Sequence, residues 1–206
     1  MAAKLIDLSF TLNGRKVKVQ IAPDTMLFAL LREQGCASVR CACETTNCGL
    51  CTVWLDGDPV LSCSVPAARV EGHTITTLEG LKAESEALAR AMAAEGAEQC
   101  GFCAPGLIMN VLALARAAKD DPSLVATREE LSRQLAGNLC RCSGYESQLR
   151  AIVRFLNESG VQVGFEMRDL PVNNTSSDGV SYKQITHKQP KKDSKALLEG
   201  RPVYTG

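Results

Sequence analysis

A chain of 206 residues, 45% of them hydrophobic, is long enough to bury one substantial core or two small ones, and it reads as a folded globular protein. Lysine plus arginine equals aspartate plus glutamate at 23 each, so no net field draws phosphate backbones or an anionic membrane, and nucleic acid is not an expected partner. No window approaches about 18 uncharged apolar residues and the first ten residues carry Lys4 and Asp7, so neither membrane insertion nor secretion is expected and a cytoplasmic location is.

Residues 3–10 and 15–21 alternate in hydropathy around Asn13-Gly14, a strong signal for a two-stranded hairpin. Asp24 or Thr25 is placed to cap a helix in which Met26, Leu27, Leu30 and Leu31 recur at helical spacing, and Gly35 is placed to end it. After a loop dense in cysteine, Cys51 to Leu55 reads as a strand, turned by Asp56-Gly57 into another near Val60 to Ser62. This order suggests a β-grasp sheet.

From Thr76, with Thr76 and Glu79 as a possible capping box, Ala, Leu, Met and Glu dominate through Glu95 and helix replaces strand. Helices are also expected over 105–119, 127–136, capped by Thr127 and Glu130, and 147–157. The expected class is α+β, with a sheet domain over 1–76, an all-helical domain over 77–162 and an extended tail or linker over 163–206. Lys188, Lys191 and Lys192 give that tail its basic cluster.

Ten cysteines in a reducing compartment are more often metal ligands or redox groups than disulfide partners. Cys43, Cys48, Cys51 and Cys63 follow the plant-type ferredoxin arrangement, in which a compact loop supplies three thiolates and a distant position the fourth. Such a loop must wrap two irons closely and aim backbone N–H groups at sulfur; Gly49 permits that approach. The spacing favours iron over zinc, and Cys36 and Cys41 read as non-ligands.

Cys100 and Cys103 form one pair and Cys140 and Cys142 another, each beside a helix boundary, so a bundle could converge four thiolates. Spacing alone leaves this group open between tetrahedral zinc and iron. His73 and His187 have no ligand-like neighbours. No glycine-rich phosphate loop occurs, so a flavin or nicotinamide belongs on a partner. Trp54 and Tyr145 read as packing residues, and Thr45 and Thr46 as solvated loop residues.

The segments Gln99-Cys-Gly-Phe-Cys-Ala-Pro-Gly106 and Gly137-Asn-Leu-Cys-Arg-Cys-Ser-Gly-Tyr145 resemble the paired signatures of the small subunit of molybdenum hydroxylases, which include xanthine dehydrogenases, aldehyde oxidoreductases and carbon monoxide dehydrogenases. Leu31-Arg32, Cys48 to Val53, Ser62-Cys63 and Thr77 to Leu81 extend the resemblance over about residues 3–160. The family commonly has glycine where this chain has Ala42 and Thr46.

The resemblance implies a plant-type ferredoxin-like β-grasp domain followed by a four-helix-bundle domain, each with one 2Fe-2S cluster. It implies that both cysteine groups bind iron and that the chain relays electrons from a molybdopterin on a large subunit, dinucleotide in form, to FAD on another subunit or to another acceptor. The cluster on Cys100, Cys103, Cys140 and Cys142 would lie nearer the pterin, with Gln99 and Cys142 touching its edge, in a hetero-oligomer. No side chain of this chain would make or break bonds. Lys191 to Gly206 resembles the start of the molybdenum-binding part of these enzymes; an ordinary docking tail reads equally well. The competing classes are a zinc-holding interaction scaffold and a stand-alone ferredoxin-like carrier.

Overall fold

The computed structural model describes residues 4–167, 191 and 193–200. The hairpin forms as expected: β1 (Ile6–Leu12) pairs antiparallel with β2 (Arg15–Ile21), with Leu12 opposite Arg15 and Ile6 opposite Ile21. Asn13 and Gly14 both have positive φ, 50° and 78°, the turn geometry that follows the right-handed twist of paired strands. Leu8, Phe10 and Leu12 point inward from alternate positions of β1.

Helix α1 (Leu27–Glu33) buries Leu27, Leu30 and Leu31 on the inner face of this half. Neither Asp24 nor Thr25 caps it. The Leu27 N–H instead donates to the Val65 carbonyl at 2.8 Å, while Ala67 N–H donates to the Thr25 carbonyl at 2.8 Å. The returning chain satisfies the helix start, leaving a side-chain cap nothing to add. At the other end Gly35 adopts φ +84°, with Cys36 N–H bonded to Leu31 O and Gly35 N–H to Arg32 O. This closure requires the left-handed residue that glycine supplies.

Strands β3 (Thr52–Leu55), β4 (Asp58–Leu61) and β5 (Thr74–Thr76) complete a five-stranded sheet in the order β2-β1-β5-β3-β4. β5 runs parallel to β1 and antiparallel to β3. Thr76 therefore ends a strand instead of starting a helix, and α2 begins only at Lys82 (Lys82–Ala94). Glu79 is no capping residue: its carboxylate accepts from Ser38 N–H at 2.8 Å, Ser38 Oγ at 2.6 Å and Thr77 Oγ1 at 2.6 Å.

Burial alone would raise the Glu79 carboxyl, but the Ser38 and Thr77 hydrogen bonds hold it below the usual carboxylate range. A carboxyl depressed on folding stabilises the native state above its unfolded pKa, and that contribution is lost as pH falls through the folded value. Glu79→Gln is expected to cost about 1–3 kcal/mol at pH 7. It should also flatten the acid limb of stability, as checked by urea unfolding at pH 7 and again near the carboxylate range.

Helices α3 (Ala104–Asp120), α4 (Arg128–Leu135) and α5 (Tyr145–Glu158) join α2 around a second core running from Leu78 to Val161. The expected capping box is present on α4, with Glu130 N–H donating to Thr127 Oγ1 and Thr127 N–H to the Glu130 carboxylate. Trp54 belongs to this second core although it sits on β3; its indole N–H donates to the Met109 carbonyl at 3.0 Å and the Arg116 guanidinium lies 4.0 Å from the ring centroid. The two halves thus share one contact surface.

The extended-tail expectation over 163–206 is corrected where it can be followed: Ser194–Leu198 form a short helix, α6, with Ser194, Leu197 and Leu198 buried. His187, Lys188, Lys192 and the last six residues lie outside the described residues. Among the described residues no helix is long and apolar enough to cross a membrane.

Candidate metal centres

The loop between α1 and β3 carries Cys43, Cys48 and Cys51, and the turn closing β4 carries Cys63. Between Cys43 and Cys51 three residues hold left-handed backbone: Glu44 at φ 52°, Thr46 at φ 58° and Gly49 at φ 73°. Thr46, a β-branched residue, therefore occupies a conformation that favours glycine, at a cost on the order of 1–3 kcal/mol. Its hydroxyl donates to the Thr45 carbonyl and both residues are exposed, as the solvated-loop reading expected.

That backbone turns N–H groups toward sulfur. Asn47 N–H donates to the Cys43 thiol at 3.4 Å. The Asn47 amide, with help from that of Thr45, lowers Cys43 to about 6. Cys63 moves the opposite way, pushed up to about 12 by burial and then by the neighbouring Cys51 thiol. Cys48 is the thiol that acts on Cys43, and Cys51 the one that acts most on Cys63. Cys41 is near enough to Cys63 to add to its repulsion, whereas Cys36 is buried beside Thr77, its thiol raised by burial.

The second group forms where two helices begin. Cys100 and Cys103 precede α3, and Cys140 and Cys142 precede α5. The Cys142 thiol lies 3.6 Å from Cys100, and Cys103 touches Cys140. Cys103 is pushed up to about 12 by burial and by the Cys140 charge. Burial also acts to raise Cys140, yet the amides of Gly144 and Cys142 bring it below the usual thiol value. Gln148 Nε2 donates to Cys103 at 3.6 Å and Phe102 N–H to Cys100 at 3.4 Å. Gln99 Nε2 donates to the Cys142 carbonyl at 3.2 Å, so the two residues expected at a pterin edge adjoin one another.

In both groups each thiol is influenced most by one other: Cys43 by Cys48, Cys63 by Cys51 and Cys103 by Cys140, while Cys142 lies 3.6 Å from Cys100. Among the described residues no three metal-binding side chains meet closely enough to hold one ion. Thiols ringed by N–H donors are the kind of ligand set that a two-iron cluster takes.

The groups lie on either side of one cavity of about 550 Å³, lined by Cys43 and Cys48 from the first and Cys100, Cys103 and Cys140 from the second. Leu139 N–H donates to the Cys48 carbonyl at 3.0 Å, joining the two loops directly. Glycines permit that approach: a Cβ on Gly49 would stand 2.3 Å from the Gly137 carbonyl oxygen, and one on Gly106 2.4 Å from the Gly49 carbonyl oxygen. Arg40, 7% exposed, crosses from the sheet half to donate to the Gly101 and Phe102 carbonyls at 2.7 and 2.9 Å.

The residues around the thiols were less legible than the thiols. Tyr145 is no packing residue: it is 44% exposed, and its hydroxyl accepts the Cys140 N–H at 2.9 Å. Arg40 and Gln148 carry no sequence signal, because each acts across the fold on a loop distant in the chain. Trp54 packs as expected.

Residues 10–75 match the family model described as a 2Fe-2S iron-sulfur cluster binding domain, and residues 77–153 match one described as a 2Fe-2S binding domain. The xanthine dehydrogenase iron-sulfur-binding subunit of Escherichia coli O157:H7 is 42% identical over 154 residues, covering 73% of this chain and 94% of that subunit. The nicotinate dehydrogenase small FeS subunit of Eubacterium barkeri is 38% identical, covering 74% of this chain and 96% of its own length.

Among solved structures, quinoline 2-oxidoreductase from Pseudomonas putida 86 has a chain that matches with a TM-score of 0.67 at 32% identity, covering 77% of this chain and 98% of that one. The aldehyde oxidoreductase from Desulfovibrio gigas matches with a TM-score of 0.72 at 28% identity; the alignment covers 97% of this chain, which spans about a fifth, 21%, of that polypeptide. With two cysteine groups, two matching cluster-domain models and relatives alike over nearly their full length, the chain belongs to the two-cluster iron-sulfur subunits of the molybdenum hydroxylase family, the electron-transfer component of these oxidoreductases.

Proposed function

We propose that Cys43, Cys48, Cys51 and Cys63 hold one 2Fe-2S cluster and Cys100, Cys103, Cys140 and Cys142 the other. When bound, such clusters accept and release single electrons. The chain's own residues do the rest. The amides at Cys43 and Cys140 stabilise thiolate, and the Cys48 carbonyl accepting from Leu139 N–H supplies a path of bonded atoms with one hydrogen bond between the two ligand sets. That hydrogen bond is the observation that carries the relay.

The sheet half, residues 1–76, is read as a ferredoxin-like β-grasp domain. Its α1 packed on a sheet in which β1 and β5 lie centrally and parallel supports this reading. Residues 77–162 form the four-helix domain of α2 to α5. Cys100 is exposed, and around it Phe102, Leu139 and Tyr145 are each more than 40% exposed, an apolar rim suited to docking the molybdopterin-binding large subunit. Gln99 and Cys142 would meet the pterin edge there. The first group then faces the acceptor, an FAD-binding subunit, within a cytoplasmic hetero-oligomer.

Purified protein is expected to carry about four irons per chain and to give two distinguishable electron paramagnetic resonance signals on reduction. Zinc in place of iron at either group would sink the relay and leave a scaffold.

A further inference from the structure

The segment Asp193–Gly200, with Lys191, touches the loop that carries Cys100. Lys191 Nζ donates to the Gln99 carbonyl at 2.8 Å, and Ser194 Oγ bonds the buried Glu98 carboxylate. Leu197 sits against Gly101 so closely that a Cβ on Gly101 would lie 2.7 Å from the leucine Cβ. Gly200, at φ +74°, passes Ser38 and Pro105, and Leu198 enters the helical core at 1% exposure.

These contacts fall on Glu98, Gln99 and Gly101, the residues flanking Cys100. From the opposite side Arg40 fixes the Gly101 and Phe102 carbonyls. Without the segment, the loop before Cys100 would keep Arg40 beyond the cysteine and lose both partners ahead of it.

We propose that Asp193 to Gly200, with Lys191, form a strap that positions the Cys100 thiol, Lys191, Ser194 and Leu197 being the positioning residues. The consequence for a cluster rests on Cys100 being a ligand; the mechanical claim does not. Two features argue for a tuned contact over general packing. The polar strap residues bond the loop itself, one of them to its backbone, and Gly101 has no side chain to hold Leu197 away.

The test compares full-length protein with Leu197→Ser, Leu197→Met, and the paired change Lys191→Ala with Ser194→Ala. Hydrogen exchange of amides 98–101 is measured with and without iron, together with the resonance signals of the loaded protein. The strap predicts roughly tenfold or faster exchange at 98–101 in Leu197→Ser and in the paired variant, with amides 48–53 unchanged and Leu197→Met restoring protection. In the loaded protein one of the two resonance signals should broaden or shift its g-values while the other stays.

Unchanged exchange at 98–101 in the paired variant, which removes only hydrogen bonds and keeps the core leucine, would overturn the strap even if Leu197→Ser fails to fold. Faster exchange in a protein that takes up no iron would uphold the strap and overturn the cluster assignment.

Discussion

Replacing Cys103 by serine is expected to lower iron from about four to about two per chain and to abolish one of the two resonance signals. Cys103 is the more buried member of its pair, raised to about 12 by burial and the Cys140 charge, and Gln148 donates to it. A thiol in that setting ionises only when a metal compensates the burial, and serine oxygen is a poorer ligand for iron. The signal that survives should belong to the group on Cys43, Cys48, Cys51 and Cys63. Electron flow from a molybdenum partner should fall roughly a hundredfold or more, since changes merely behind the ligands already cost about 10–100-fold at metal sites. Retention of both signals with normal turnover would remove Cys103 from the ligand set.

Gly49→Ala should be among the most damaging glycine-to-alanine changes at the described residues. Glycine at φ +73° already excludes a side chain on backbone grounds, and the added carbon would fall 2.3 Å from the Gly137 carbonyl oxygen and 2.7 Å from Asn138 Nδ2. Strain of the left-handed conformation and overpacking against a backbone oxygen together cost about 3 kcal/mol or more. Because the collision lies between the two cysteine loops, both resonance signals should change, unlike the loss of one in Cys103→Ser. Denaturant unfolding gives the stability loss. A variant as stable as the parent would mean that the loops are not held in the contact described.

Thiols that belong together announce themselves by spacing, so the eight cysteines and the helices bearing the second group could be read from the chain. The hairpin turns were legible for a similar reason, since Asn13-Gly14 and Asp56-Gly57 are local chemistry. β5 was not, because three residues show no period and its hydrogen bonds come from β1 and β3. Residues that act across the fold escaped as well: Arg40 reaches the Gly101 loop, Glu79 reaches Ser38, and Leu197 reaches Gly101. The start of α1 misled because the Val65 carbonyl, beyond the turn that follows β4, took the place of the side-chain cap that Asp24 or Thr25 would have supplied.

The hydrogen bond from Leu139 to the Cys48 carbonyl also sets an order on biosynthesis. Every thiol of the first group has left the ribosome long before Leu139 is made, yet the carbonyl of one of those cysteines finds its partner only then. The amino-terminal half can collapse early around Leu8, Phe10 and Ile75, but its cysteine loop lacks this contact until Leu139 has emerged. Iron delivered to the nascent chain before Leu139 emerges would meet a loop that still lacks this bond.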